Sequence, residues 1–231
     1  PARIEWLRQR VLNFLLPPPP PDREQVLRAL ETLGAQAERA IPQVLALLDD
    51  RRPSQSSANI LVAIGSPAVG PVCRALVTNT NISIQTQLLR ILAEIGTNAN
   101  SAASVVQGYV ASGNPSLREA ATETLWRIRA APASSIPQLR KLLHDDVPAI
   151  RQQAANGLAS YRATAAEATL DLLEATQDPV PMVRLAAAKA ILQLDDVRAR
   201  GIALRQLEND PDPANQAFFR TMEQNQGREM K

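Results

Sequence analysis

The sequence predicts an all-α fold, a right-handed α-solenoid of about six stacked helix pairs with flanking helices, on three observations. The first is a period: the apolar residues Leu33, Ile64, Ile95, Ile128, Tyr161 and Leu194 recur about 32 residues apart. The second is the pattern inside each copy. Three positions before each closing residue stand Leu30, Leu61, Leu92, Leu125, Leu158 and Ile191, and one turn earlier come Val26, Leu88, Ala121, Ala154 and Ala187. This spacing is the buried stripe of an amphipathic helix. The third is composition, with 3% aromatic residues and abundant Ala and Leu, which suits helices packed closely through small side chains. A fixed period of this length then means stacked helical units, each burying its apolar face against the next.

In chain order, residues 3–16 place Ile4, Leu7, Val11, Phe14 and Leu15 on one side of an amphipathic helix. Pro17 to Pro21 end it, since proline lacks an amide hydrogen and disfavours helix in the preceding residue, and the run reads as a stiff polyproline linker. The repeat array is expected over 22–212, two helices to a unit. Gly34, Gly65 and Gly96 stop the first helix of a unit. The second is expected at Ala40–Leu48, Pro71–Val77, Ser104–Val110, Ile136–Leu143, Glu167–Glu174 and Ala199–Leu207. Pro42, Pro71 and Pro137 are read as opening three of these, where a missing donor costs nothing. Asp49-Asp50, Asp145-Asp146 and Asp178-Pro179 close several. Residues 213–231 read as a terminal helix or partial repeat with Phe218, Phe219 and Met222.

Pro-Ser-Leu-Arg-Glu-Ala-Ala at 115–121, Pro-Ala-Ile-Arg-Gln-Gln-Ala-Ala at 148–155 and Pro-Met-Val-Arg-Leu-Ala-Ala-Ala at 181–188 resemble the HEAT repeat. They are similar in particular to the short bacterial version also found in phycobilin lyases. The earlier units depart from the pattern, with Ser54 and Gln85 in place of the Arg and Ser57 at an apolar position. The resemblance implies that Arg118, Arg151 and Arg184 bridge neighbouring layers together with Asp145 and Asp178. It also implies that the Arg-bearing helices line the inner curve, and it brings two enzymatic alternatives: a phycobilin lyase-like subunit and a DNA-binding protein acting on alkylated bases.

The residues themselves favour a non-enzymatic scaffold. With 25 basic and 23 acidic residues the net charge is +2, so no electrostatic drive toward nucleic acid is visible. No apolar run reaches the roughly 20 residues of a membrane span. The compartment is not legible from the N-terminal end, and the cytoplasm is the default expectation. The single His144 stands beside Asp145 and Asp146, but consecutive residues at a helix end do not converge on one ion. Cys73, the one cysteine, sits beside Val72 and Leu76 and reads as a core residue. No Gly-x-x-x-x-Gly-Lys occurs. No cofactor, metal or catalytic residue is expected.

What remains is a surface for a protein or peptide. Five positions before each closing residue stand Arg28, Asn59, Arg90, Glu123, Asn156 and Lys189, facing away from the Leu pairs. With Arg127, Gln193, Thr32, Glu94 and Ser160 they would pave the concave face. Trp126, in the column of Glu31, Val62, Ala93, Ala159 and Leu192, is either an anchor for a partner or packing against the adjacent layer. Between Pro53 and Ser116 the charged residues are Arg74, Arg90 and Glu94, three in 64. Interfaces are depleted of charge at their centres, so layers two and three are expected to form the main contact with a partner or a second copy.

Overall fold

The computed structural model describes residues 29, 32–48 and 55–229. The expected helix 3–16, the Pro17–Pro21 linker, most of the helix from Asp22 to Gly34, and Arg28, Asp49, Asp50 and Ser54 lie outside them. Among the described residues no strand occurs, and helices follow one another in two alternating rows. One row holds α1 (Ile41–Leu48), α3 (Ser66–Thr78), α5 (Ala103–Val110), α7 (Pro132–Leu142), α9 (Thr169–Ala175) and α11 (Val197–Glu208). The other holds α2 (Gln55–Ile64), α4 (Ile82–Ile95), α6 (Pro115–Arg127), α8 (Pro148–Tyr161), α10 (Pro181–Leu192) and α12 (Pro213–Glu229), and it carries the periodic Arg residues.

One continuous apolar core runs between the rows. From the even-numbered row Leu61, Leu92, Leu125, Leu158 and Ile191 are fully buried, and Leu88, Ala121, Ala154 and Ala187 are buried one turn earlier. The odd-numbered row meets them with Val44, Val72, Val106, Leu139, Leu172 and Ala203. Burying a Leu or Ile side chain in this way is worth roughly 1.5–3 kcal/mol, so each layer is held by its own stripe and its neighbours. Of the closing residues, Ile64, Ile95, Ile128 and Leu194 are buried. Two depart from expectation. Leu33 is 49% exposed, in the first layer of the described residues. Tyr161 is half-buried and donates its hydroxyl to Ala130 O at 2.8 Å, one layer back. Ser57 replaces an apolar residue and is fully buried, its hydroxyl without a hydrogen-bond partner among the described residues.

A turn with positive φ recurs with the period as far as the end of α8, and none is found among the described residues between α10 and α11. Gly34, Gly65 and Gly96 take φ of 51°, 74° and 67°, the left-handed half of the map that suits glycine. At the same place in the next two layers stand Arg129 (φ 50°) and Arg162 (φ 52°). Proline then decides how the next helix begins. Pro67 and Pro132 occupy the first turn of α3 and α7, whose φ they preset, so those helices start at once. The helix α11 starts directly from an Asp196 cap whose Oδ1 accepts from Ala199 N, and a 3-10 segment intervenes at Gly34–Ala40, Gly96–Ala102 and Arg162–Ala168. This corrects the expected helix starts at Pro71 and Ile136. Pro71 and Pro137 lie inside α3 and α7, each removing one internal hydrogen bond, because Pro67 and Pro132 had already opened the helix.

Candidate partner-binding face

An interlayer ladder fixes the register of the even-numbered row. Arg118 Nε and Nη2 donate to Asp145 at 2.8 and 2.9 Å, Arg151 to Asp178 at 2.6 and 2.9 Å, and Arg184 to Asp210 at 2.8 and 2.7 Å. Each third nitrogen turns back to its own layer, Nη1 reaching Ser112 O, Asp145 O and Asp178 O at 2.8–2.9 Å. Each Asp also accepts from the backbone N–H two residues on, at Val147, Val180 and Asp212. Bidentate geometry with every guanidinium nitrogen engaged is what lets a largely buried ion pair hold. Burial pushes the Asp145 and Asp178 carboxyls up, yet the hydrogen bonds from Arg118 or Arg151 and from the backbone outweigh it and leave both below the ordinary carboxylate range. Arg184, with Asn215 and the Asp212 N–H, holds Asp210 down at about 2.

The sequence pattern missed Asp210, the third acidic rung, although Asp210-Pro211 repeats the Asp178-Pro179 step. The ladder stops at Gln216, which takes the Arg place three residues after Pro213 and donates Nε2 to Asp210 O at 2.9 Å, while Asn215 beside it donates to Pro181 O and Asp210 Oδ2, both at 3.1 Å. Toward the N-terminus the same turns persist without charge. Asn79 Oδ1 accepts from Asn81 N and Ser112 Oγ from Asn114 N, while Gln85, in the Arg column, donates to Leu76 O at 3.3 Å. Tyr109 of α5 donates to the same Leu76 carbonyl at 2.9 Å and so ties two layers together. Part of the charge-poor stretch is therefore this exchange of ionic rungs for neutral ones.

The expected face residues divide into engaged and open side chains. Asn59 and Asn156 are half-buried. Glu123 and Arg127 pair at 2.8 Å along α6. Arg127 also lies over the Trp126 ring, 5.3 Å from its centre. Trp126 is half-buried and donates Nε1 to Gln153 Oε1 of α8 at 3.3 Å. Lys189 of α10 lies 4.6 Å from the ring centre of Phe218 of α12. Arg90, Glu94 and Gln193 are exposed, with Arg90 and Glu94 the open pair, whereas Arg28 lies outside the described residues. A groove of about 510 Å³ crosses the charge-poor layers, with Ser83, Thr86, Gln87, Arg90 and Glu94 of α4 along it. Ala58 of α2 and Ser116 of α6 form its sides. Ile91 is buried within it, and Ile82, which replaces the Pro that starts α6, α8 and α10, is 44% exposed at its mouth.

Outside that face, His144 is exposed beside a second groove of about 670 Å³ that also holds Lys141, Asp145 and Asp146. Cys73 is half-buried, and burial pushes its thiol up, away from the reactive thiolate. No described helix is long and apolar enough to cross a membrane.

The family model for HEAT repeats matches residues 102–191 and 136–220, together 119 of the 231 residues. The chain belongs to the HEAT-repeat family. Its ladder of Arg and Asp falls within that match, as the HEAT pattern implied. No curated protein matches it in sequence. Among solved structures, a designed armadillo repeat protein in complex with the peptide (KR)4 is similar at a TM-score of 0.59 and 14% identity, over 85% of this chain and 95% of that one. Two engineered proteins are similar at 0.58 and 19% identity (78% and 95% covered) and at 0.54 and 18% identity (84% and 93% covered). At such identities the likeness is one of fold, an armadillo-like HEAT solenoid.

Proposed function

We propose that this HEAT-repeat chain is a non-enzymatic scaffold that holds a protein or peptide segment along its even-numbered row, centred on the groove over α2, α4 and α6. The groove carries the reading. It is open and lined by Ser, Thr and Gln, in layers whose ladder is neutral. Such a lining offers hydrogen bonds to a peptide backbone and no field for a polyanion. The even-numbered helices pack more extensively on one another than the odd-numbered ones do. Closer approach on one side bends a stack toward that side, which supports making this row the concave one. Asn59, Arg90, Glu123, Trp126, Arg127, Asn156, Lys189 and Gln193 would then flank the bound segment. The peptide held by the designed armadillo relative supports the same use of the fold.

The test is affinity capture from cell extract on the parent, on a variant with Thr86→Lys and Gln87→Lys, and on one with Trp126→Ala, Asn156→Glu and Lys189→Glu. A protein kept by the parent and lost by the folded groove variant is the expected result. Equal retention on all three rejects the face. Capture of duplex DNA with steep salt dependence, or a copurifying pigment, moves the chain to one of the enzymatic alternatives.

A further inference from the structure

We infer that the segment bound in this groove carries an acidic side chain next to a basic one, the first answering Arg90 and the second Glu94; the inference rests on the scaffold reading above. Arg90 and Glu94 are the charged residues of the groove, both exposed, one turn apart on α4 and about 6 Å apart along its axis. Opposite charges at this spacing on a helix commonly pair. Here no ion pair engages either one among the described residues. One layer on, the same two columns hold Glu123 and Arg127, with the polarity reversed, and these do pair at 2.8 Å. The α6 charges therefore answer each other, while those of α4 stand open in layers that otherwise hold only Arg74, on the opposite row.

The geometry limits the occupant. Three neighbouring helices spaced about 8–10 Å apart span roughly 18 Å, the length of five or six extended residues at about 3.3 Å each. Successive side chains of an extended segment point to opposite sides. A segment crossing α4 therefore turns one side chain toward Arg90 and its neighbour toward Glu94. A uniformly acidic or uniformly basic segment gains one attraction and suffers one repulsion, whereas an adjacent acidic and basic pair gains two attractions. The exposed Ile82 receives the apolar part of the segment.

The experiment is selection of a displayed random heptapeptide library on the full chain and on the double variant Arg90→Glu, Glu94→Arg. That exchange keeps net charge, and circular dichroism checks that the fold is kept. The parent is expected to enrich an acidic–basic neighbour pair in one order and the variant the reverse order. A parent-selected synthetic peptide should bind the variant about tenfold more weakly, since two attractions become two repulsions. Peptides that are lost on Thr86→Lys, Gln87→Lys yet ignore the charge exchange overturn the charge pairing and leave the scaffold reading in place. Failure of the parent to enrich any peptide overturns both. A dimer seen in sedimentation and abolished by the exchange assigns the two charges to a second copy and overturns the peptide occupant.

Discussion

Replacing Asp210 by Asn should cost this chain about 3 kcal/mol at neutral pH, and most of that cost should vanish in acid. The Arg184 and Asp210 side chains are 11% and 4% exposed. Breaking a buried pair by removing one charge costs roughly 3–5 kcal/mol because the other is left buried and uncompensated. The lower end applies because Arg184 keeps its bonds to the Asp178 and Pro179 carbonyls at 2.9 and 3.1 Å. The acid dependence follows from the carboxyl itself. Arg184 holds it at about 2 against an ordinary 3.8, a difference worth roughly 2 kcal/mol. A depressed acid contributes fully above its unfolded value and loses that contribution as the pH falls through its folded value. The parent should therefore lose this share between about pH 5 and pH 1, whereas the Asn variant has none to lose. Urea unfolding followed by circular dichroism at several pH values measures the gap between the two proteins, in which the other carboxylates cancel. In a repeat array the loss is local to α10, α11 and α12, so hydrogen exchange should rise there first. A variant as stable as the parent at pH 7, or a gap that does not narrow in acid, would refute the account of the ladder.

Two further substitutions test the backbone and the packing. Arg162 sits at φ 52°, ψ −136°, a conformation that Gly65 and Gly96 share (ψ −133° and −138°) and that costs other residues on the order of 1–3 kcal/mol. Arg162→Gly should thus stabilise by about 1 kcal/mol after the entropy of an added glycine is subtracted, read as a higher urea midpoint; a lower midpoint would mean that the side chain holds the turn. Gly157→Ala should destabilise by roughly 1–3 kcal/mol through overpacking. Its Cβ would lie 2.9 and 3.0 Å from the Leu139 methyls and 3.3 Å from Trp126 Cβ, so an unchanged thermal midpoint would show that the Leu139 side chain moves aside without cost.

The sequence alone determined the layers. Burial of Leu61, Leu92, Leu125, Leu158 and Ile191 is written in an i, i+3 pattern that returns once in every layer, and both the helix and its period are local properties of the chain. The glycine stops were legible for the same reason, since a positive φ is a property of one residue and its neighbours. Helix starts were less so, because Pro71 and Pro137 look like first-turn prolines until Pro67 and Pro132 are seen to have taken that role. Only the tertiary structure decided what meets across layers. It joined Arg184 to Asp210 of the next layer, turned Trp126 toward Gln153, closed Glu123 on Arg127 and left Arg90 and Glu94 open above a groove. Those outcomes depend on the rotation and offset of one layer on the next, which the ladder and the core packing set together. No single repeat carries that offset, so its sequence cannot announce which charges will be answered and which remain for a partner.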